Sequence, residues 1–456
     1  MRKIFFIISG LATMSAGGFF LCNPKQTKNI EKSFAEKQET VVLFAVTGFG
    51  SEKENISLDT LKINYASGEI FVLEKSKTFA DDFFRTDNKN IVKTLQDFVA
   101  KNPEGILICD LENLHVQTKA LKINNVSFFE EAKKYPLIKT GTDKNPFDFK
   151  KHITKFMHTG VTAIARASGR VADVKGTDFL TEKLKPYFQE ADFVHISNEV
   201  SMSKNCEYKV GTQFCTKERD FQALLNLRCN VVELTGNHNR DYGKQPFIET
   251  FNWYKKHNIK TFGGGLSPEQ ANTPLVITLK DGKKIGFIGF NEACPLGECA
   301  KNDQEPGANF YEKEKARQVI EKMKKELKLE TVIVSVQFSE SDTYYPTSSQ
   351  KRICKDLVDF GADVVYGSQA HQVQYVGFYK NKPVFYGLGN FMFDQIHRIG
   401  VRQGFFLKNY FYKGKMVQSI PVFTMIDQTR RVAVPATTQE AKAIRKEIFK
   451  SELLYP

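Results

Sequence analysis

The chain has 456 residues, with 65 Lys or Arg against 52 Asp or Glu, which gives a formal net charge of +13. This length allows two or three domains with sizeable cores. The basic balance favours anionic partners such as phosphoesters, acidic polymers or a membrane surface, whereas the lack of an RNP, zinc-finger or basic-helix pattern argues against a nucleic-acid partner.

The N-terminus predicts export. Arg2 and Lys3 precede an apolar run from Ile4 to Leu21, a pattern typical of a secretory signal peptide or an uncleaved anchor over residues 1–22. Cys22 suits a lipoprotein, but Leu21 stands where lipoprotein processing requires a small residue, so simple export or anchoring is favoured. We expect the rest of the chain to work outside the cytoplasmic membrane, secreted or anchored by its N-terminal segment.

A polar linker at 23–39 is followed by a region at 40–150 that predicts a small α/β domain. Asp110, Glu112 and His115 follow its third strand, but three polar residues on one loop are a weak indication of a site. The predicted elements are helices at 57–64 and 90–101 and strands at 41–46, 69–73 and 105–109.

The region at 151–428 alternates strand and helix patterns, which predicts two sheets with helices outside them. Residues 429–456 are a charged C-terminal tail that becomes helical from about 436. The predicted strands are 192–197, 231–234, 273–279, 284–290, 331–336, 363–366, 383–386, 404–411 and 416–424, the last two antiparallel, and the predicted helices are 220–227, 245–257, 312–327 and 348–360.

The loop at 234–243 joins a predicted strand to a predicted helix, and it carries Asn237, His238 and Asp241. In α/β sheets, ligands usually bind at this edge, beyond the carboxyl ends of the strands. An amide, an imidazole and a carboxylate can together bind a metal, contact a phosphate or share a proton. The alternative is that Asn237 and Asp241 cap the following helix and His238 is simply exposed.

Other strands also end in polar residues. For any one ending, a turn or cap is the safer interpretation, but several endings at one edge predict a shared pocket. These endings are Asn198 with Glu199, Gln337 with Glu340, Ser368 with Gln369 and His371, and Asn390 with Asp394 and Gln395.

Cysteine spacing predicts two short disulfide-closed loops, Cys206/Cys215 and Cys294/Cys299, in an exported chain. Cys109, Cys229 and Cys354 lie inside apolar patterns, which is typical of reduced, buried cysteine.

Residues from about 156 to 425 resemble the bacterial capsule-synthesis protein A family, associated with poly-γ-glutamate capsules. The resemblance rests on the segments 197–199, 236–243, 361–371 and 386–395, in this order and spacing. It implies an α/β fold, the four-layer αββα sandwich of calcineurin-like metallophosphoesterases. The segments 121–124 and 134–137 are similar to the periplasmic-binding-protein-like segment that precedes this domain in some members.

The chain departs from the family pattern at three metal-ligand positions. Val161 stands where the family often has Asp, Gln337 where a His-Trp-Gly turn is common, and Gln369 where the Gly-x-His-Pro-His motif has its first His. Val cannot bind a metal, and Gln is a poor substitute for His on a transition metal. The site that the resemblance implies would hold one divalent ion (Mn, Mg or Zn) or none.

The resemblance implies an exported or membrane-anchored protein of poly-γ-glutamate-type polymer synthesis. If it is an enzyme, the implied reaction is hydrolysis or transfer at a phosphoester or amide bond. The implied site residues are His238, Glu199, Asp241 and Glu340 as catalytic groups, Arg166, Asn198, Gln337, Gln369, Asn390 and Asp394 as substrate-binding groups, and Glu199, Asn237, His238 and His371 as metal ligands.

The alternative is a non-catalytic protein that holds or guides an anionic polymer during assembly, which the substituted ligand positions favour. Its partners would be the extracellular polymer or the membrane-bound synthesis machinery, with the membrane reached through the N-terminus. A third hypothesis, a solute receptor built on residues 40–150, rests on the N-terminal similarity alone.

Overall fold

The computed structural model describes residues 40–139, 147–294, 297–302 and 304–450. The predicted signal peptide or anchor at 1–22, including Cys22, and the predicted linker at 23–39 fall outside these residues. Within them, no helix combines the length and the apolar character that crossing a membrane requires.

Residues 41–139 form a sheet around strand β1, whose apolar run is buried at every position after the first. The strands of this region are β1 (Val41–Gly48), β2 (Asn55–Ile56), β3 (Phe71–Leu73), β4 (Ile91–Val92), β5 (Leu107–Asp110), β6 (Thr118–Ala120), β7 (Lys122–Ile123) and β8 (Ile138–Lys139). Its helices are α1 (Leu58–Ser67), α2 (Lys77–Phe84), α3 (Leu95–Lys101) and α4 (Phe128–Glu131). The order in this first sheet is β4-β3-β5-β1-β6, with β8 also paired to β1.

The helix predicted at 90–101 begins later than expected. Ile91 and Val92 pair with β3 instead. The hydroxyl of Thr94 then accepts a hydrogen bond from the backbone N–H of Asp97 and so caps α3.

In chain order, the strands of residues 147–450 are β9 (Ile153–Thr162), β10 (Phe193–Asn198), β11 (Val231–Glu233), β12 (Lys260–Phe262), β13 (Gly264–Gly265), β14 (Leu275–Thr278), β15 (Lys284–Asn291), β16 (Cys299–Ala300), β17 (Gly307–Asn309), β18 (Thr331–Gln337), β19 (Val364–Ser368), β20 (Val376–Tyr379), β21 (Lys382–Phe385), β22 (Asn390–Met392), β23 (Gln403–Tyr412), β24 (Lys415–Ile426) and β25 (Ala433–Pro435).

The helices of the same residues are α5 (Phe149–His152), α6 (Arg166–Lys175), α7 (Thr177–Thr181), α8 (Lys185–Phe188), α9 (Gln222–Asn226), α10 (Lys244–Lys256), α11 (Pro268–Ala271), α12 (Lys313–Lys325), α13 (Ser348–Phe360), α14 (Ile399–Arg402) and α15 (Thr438–Ile448).

Two larger sheets carry the second region. The second sheet has the order β12-β11-β10-β9-β23-β24-β25, with β22 also paired to β9, and its β9 to β12 run parallel. The third sheet has the order β14-β15-β18-β19-β21-β20, parallel from β15 to β21 with antiparallel edge strands. The carboxyl ends of β9, β10, β11, β18 and β19 deliver the residues of the candidate site.

Both larger sheets contribute to one buried core, in which the rings of Phe156 and Phe287 lie 5.1 Å apart. Helices α8 to α10 pack in a second core with the second sheet. Helices α12 and α13 pack in a third core with the third sheet. The expectation of an α/β protein is confirmed.

Strand β9 was not predicted, although it is central in the second sheet. All ten of its residues are buried. A strand covered on both faces lacks the alternation that marks a half-buried strand. Its polar residues, among them His158 and Thr159, also interrupt the apolar run that would have revealed it.

The cysteine predictions are confirmed. Cys206 is bonded to Cys215 and Cys294 to Cys299. Cys109, Cys229 and Cys354 are free and buried.

Candidate functional site

The loop between β11 and α10 orients His238 through Asp241. Nδ1 of His238 lies 2.7 Å from Oδ2 of Asp241, and the same oxygen accepts a 2.6 Å hydrogen bond from the backbone N–H of Phe214. The Phe214 ring packs against the imidazole at 4.0 Å. The capping alternative is wrong, because the N-cap of α10 is Gly243 and no side chain caps it.

Glu199 approaches this loop closely because residue 236 is glycine. A Cβ on Gly236 would lie 2.3 Å from both Cα and Cβ of Glu199. Glu199 is 1% exposed, and its Oε1 has no hydrogen-bond partner among the described residues. A buried carboxylate oxygen without a partner is costly, so this atom is available to a ligand.

The amide nitrogen of Gln337 lies at the centre of the candidate site. It lies 2.7 Å from Oδ1 of Asn237 and 3.3 Å from Oε2 of Glu199, and it also donates to Oε1 of Gln369. Three oxygens thus converge on one N–H₂ group: one follows the end of β10, one lies on the 234–243 loop, and one follows the end of β19. Sequence reasoning expected Gln337 and Gln369 to bind substrate, whereas in the structure they bind each other.

His371 is held at the other side of Gln369 by Asn390. Its Nδ1 lies 2.9 Å from Oδ1 of Asn390, and its ring stacks on Phe393 at 5.0 Å. Its Nε2 lies 3.9 Å from Glu340, whose side chain is 60% exposed. The structure therefore brings His371, Asn390 and Glu340 together.

Gln369 and His371 have φ angles of 79° and 52°. Residues other than glycine rarely adopt such angles, and each costs of order 1–3 kcal/mol where the surroundings impose it. Strain of this kind clusters at functional sites.

Arg166 and Asp394 bind each other. Nε of Arg166 donates to Oδ1 of Asp394 at 3.1 Å, and its Nη2 donates to the same oxygen. The guanidinium also lies over the rings of Phe214 and Phe393, at 4.5 and 5.0 Å from their centres. Arg166 thus reaches the rings that pack on His238 and His371.

Asn198 points elsewhere, although it precedes Glu199. Its amide donates to the backbone oxygen of Val200 and to the hydroxyl of Tyr254 on α10. These bonds tie β10 to the helix and give Asn198 a structural contact.

Charge around His238 favours its protonated form. Burial opposes protonation, but the hydrogen bond with Asp241 and the nearby carboxylates of Glu199 and Glu298 prevail and raise the pKa of His238 above its ordinary value. The imidazole can therefore serve as a cationic hydrogen-bond donor.

Glu298 is a site residue that sequence reasoning missed. Burial raises the pKa of its carboxyl to about 7, and the charge of Asp241 adds to the effect, although the Arg240 backbone N–H donates to it at 2.7 Å. The Cys294/Cys299 pair in the sequence could have indicated Glu298, because this disulfide closes the short loop that carries it.

Comparison with known protein families shows to which family the chain belongs. A profile of the family described as bacterial capsule synthesis protein PGA_cap matches residues 155–395, just over half of the chain. The chain belongs to this family. The resemblance inferred from the sequence motifs is thereby confirmed.

Three relatives illustrate the similarity. The PGA biosynthesis protein CapA of Bacillus subtilis is 27% identical over 241 residues, which cover 52% of this chain and 62% of that protein. The capsule biosynthesis protein CapA of Bacillus anthracis is 27% identical over 227 residues, 48% of this chain and 55% of that protein. A probable polyglutamine synthesis accessory protein of Mycobacterium tuberculosis is 24% identical over 191 residues, covering 40% of this chain. The match spans only 50% of that last protein.

The residues present do not fit a two-metal centre. Val161 offers no ligand, and the Gln337 amide already occupies Glu199, Asn237 and Gln369. In the part of the chain that the structure describes, Glu199, His238 and His371 do not form a group whose ligand atoms all lie within 4.8 Å of one another. These side chains therefore do not support a reaction that requires two metal ions.

Proposed function

We propose that this protein acts in the synthesis of a capsule-type anionic polymer and that its candidate site holds the polymer chain. The relatives carry names of capsule, poly-γ-glutamate and polyglutamine synthesis proteins. The formal net charge of +13 suits a polyanion. The Gln337 amide is the one observation that favours binding over metal-dependent hydrolysis, because it lies among the oxygens of Glu199, Asn237 and Gln369 and donates to them.

The Gln337 amide and a metal ion would act differently on a substrate. A metal ion among these oxygens would polarise a substrate and lower the pKa of a bound water. An amide N–H₂ satisfies the same oxygens but is neutral and activates no water. With Gln337 in place the site keeps its polar lining, but it does not support the hydrolysis that two metal ions would catalyse.

His238 is the first candidate contact for the polymer. Asp241 engages Nδ1, so Nε2 is the ring atom left for a ligand, and the raised pKa of His238 favours the protonated ring, in which Nε2 donates a hydrogen bond. His371 is oriented in the same manner by Asn390. Both imidazoles can donate a hydrogen bond to a carboxylate or phosphate of the polymer, and the negative charge of such an acceptor makes the bond charge-assisted and therefore strong.

A second candidate function is hydrolysis or transfer at a phosphoester or amide bond without a two-metal centre. The His238–Asp241 pair and the unpartnered Oε1 of Glu199 favour it. His238 would exchange a proton with the reacting group, Glu199 or Glu340 would act as the second acid or base, and Asp241 would orient the imidazole.

We extend the proposal to the fold of the two regions and to the location of the protein in the cell. The second and third sheets with their helices are the four-layer metallophosphoesterase-like sandwich over 151–428, and residues 40–150 are the periplasmic-binding-protein-like domain. The chain is exported or anchored through residues 1–22 and meets the polymer or its membrane-bound synthesis machinery outside the cytoplasmic membrane.

A binding and hydrolysis experiment tests the proposal. Purified protein is titrated with poly-γ-glutamate and with neutral dextran in a calorimeter, and it is assayed for hydrolysis of a generic phosphodiester with manganese added. We expect binding of the polyanion alone, no hydrolysis, and loss of binding in the Asn237→Ala/His238→Ala variant. The matched His257→Ala/Asn258→Gly variant, at the other end of α10, should bind normally, which separates site binding from general charge attraction.

Hydrolysis that the double variant abolishes would establish the second candidate. Equal polyanion binding by wild type and double variant would contradict the proposed role of the site.

A further inference from the structure

A second cluster of ligating side chains lies between the two larger sheets. His158, His195 and Glu233 are all buried, and one ligand atom of each lies within 4.8 Å of the others. It is the one such group of His, Cys, Asp or Glu among the described residues. None of the three belongs to the candidate site.

Strand register explains why the three side chains meet. His158 on β9 is the register partner of His195 on β10. Glu233 on β11 is the register partner of Ser197, two residues beyond His195. Because alternate residues of a strand share a face, all three side chains project from the same face of the second sheet. Three adjacent parallel strands therefore each supply one ligand.

Unsatisfied polar atoms point to a missing partner. Nδ1 of His158 and Nδ1 of His195 are both buried without a hydrogen-bond partner. Oε2 of Glu233 lies 3.2 Å from Nε2 of His195, and Thr235 donates its hydroxyl hydrogen to Oε1. No Lys or Arg in the described part of the chain forms an ion pair with Glu233. A buried carboxylate with so little positive charge nearby is unfavourable unless a cation joins it.

We propose that His158, His195 and Glu233 bind one divalent transition-metal ion of the zinc class. Two imidazole nitrogens and one carboxylate oxygen are a donor set that zinc accepts, with water as the fourth ligand, whereas magnesium and calcium prefer oxygen alone. The ion supplies the positive charge that Glu233 lacks. This proposal goes beyond the proposed function and does not depend on it.

The surroundings of the cluster suit such an ion. A cavity of about 10 Å³ is lined by His158 and Glu233 and also by Gln369 and His371 of the candidate site. This volume is about that of one water molecule, so it provides room for the fourth ligand and a connection toward the site. Thr235 is the outer partner that orients the carboxylate.

Metal binding requires the two rings to change their relative orientation. His158 and His195 stack in parallel with centres 3.9 Å apart, and Tyr366 covers His158 at 3.7 Å. Ligand bonds of about 2.0–2.2 Å place tetrahedral ligand atoms roughly 3.4 Å apart. The rings must therefore tilt so that one nitrogen of each points to a common centre.

Metal analysis of the purified full chain tests the proposal. The protein is incubated with zinc, dialysed, and its metal content measured by mass spectrometry, and cobalt is substituted to record the absorption bands of a tetrahedral site. Wild type should retain an ion that the His158→Gln, His195→Gln and Glu233→Gln variants each lose. The His238→Gln/His371→Gln variant should retain it, which distinguishes this cluster from the candidate site.

A milder variant covers the case in which a buried substitution prevents folding. Thr235→Val removes the partner of Glu233 but no ligand, and it should weaken zinc binding roughly 10- to 100-fold. Zinc should also raise the melting temperature of wild type and of His238→Gln/His371→Gln. The proposal is overturned if wild type retains no zinc, if Glu233→Gln retains as much as wild type, or if Thr235→Val binds zinc as tightly as wild type. Polyanion binding by wild type is measured separately, so failure here leaves the proposed function standing.

Discussion

The amide nitrogen of Gln337 lies 2.7 Å from Oδ1 of Asn237. The same nitrogen serves Glu199 and Gln369, and so a neutral donor links the oxygens that a cation would otherwise link. Gln337→Glu replaces this donor with a further acceptor, so that buried Glu199 and Gln369 and half-buried Asn237 lose their hydrogen-bond donor.

We expect Gln337→Glu to lower the free energy of unfolding by about 1–3 kcal/mol in the presence of a chelator. Manganese should stabilise this variant more than it stabilises wild type, because the variant offers an additional carboxylate ligand. Denaturant titrations with and without manganese measure both effects. An equal manganese effect on the two proteins would argue against a cation-like role for the Gln337 amide.

The Cys206–Cys215 disulfide supports the His238–Asp241 pair. The neighbouring Phe214 donates its backbone N–H to Asp241 and packs on His238. Replacing both cysteines by Ala should lower stability by about 2–3 kcal/mol and weaken polyanion binding. The Cys109→Ala variant, made in the first sheet, is the control for cysteine loss: it should leave polyanion binding at the wild-type level.

Gly236 permits the close approach of Glu199. Gly236→Ala would place Cβ at 2.3 Å from Glu199. Overpacking of this kind lowers the free energy of unfolding by about 1–3 kcal/mol. We expect a lower melting temperature together with weaker polyanion binding. Gly105→Ala, whose nearest new contact is 3.1 Å away and outside the site, should affect stability alone.

Glu298 gives the molecule a pH dependence. Its pKa is raised from 4.5 to about 7 in the folded state, so its contribution to stability is complete below about pH 4.5 and is lost as the pH rises to about 7. The loss is on the order of 3 kcal/mol. Glu298→Gln should abolish this part of the slope in denaturant titrations between pH 4.5 and 7; an unchanged slope would contradict the burial of an ionisable carboxyl there.

Sequence reasoning reached much of this fold because most elements obey local rules. The pattern at 348–360 predicted α13, whose Thr347 and Gln350 form a capping box. The 404–411 and 416–424 runs pair as β23 and β24. Strand β9 was missed because burial on both faces removes the periodicity on which such predictions depend.

Local sequence patterns also predicted part of the candidate site. Glu199, His238 and His371 were predicted because each follows an apolar run that was recognised as a strand. The role of Gln337 as a common donor was not readable, because it depends on side chains brought together from positions 138 and 100 residues away. The His158–His195–Glu233 cluster was hidden inside strands, where single polar residues have no local signature.

The most direct test of the account is made in the producing cells. The gene is replaced by one encoding Asn237→Ala/His238→Ala, with His257→Ala/Asn258→Gly as the matched control, and the surface polymer is quantified at equal protein abundance. We predict that the double alanine variant loses polymer while the control retains it. Full polymer in the double alanine variant would contradict a functional role for this site.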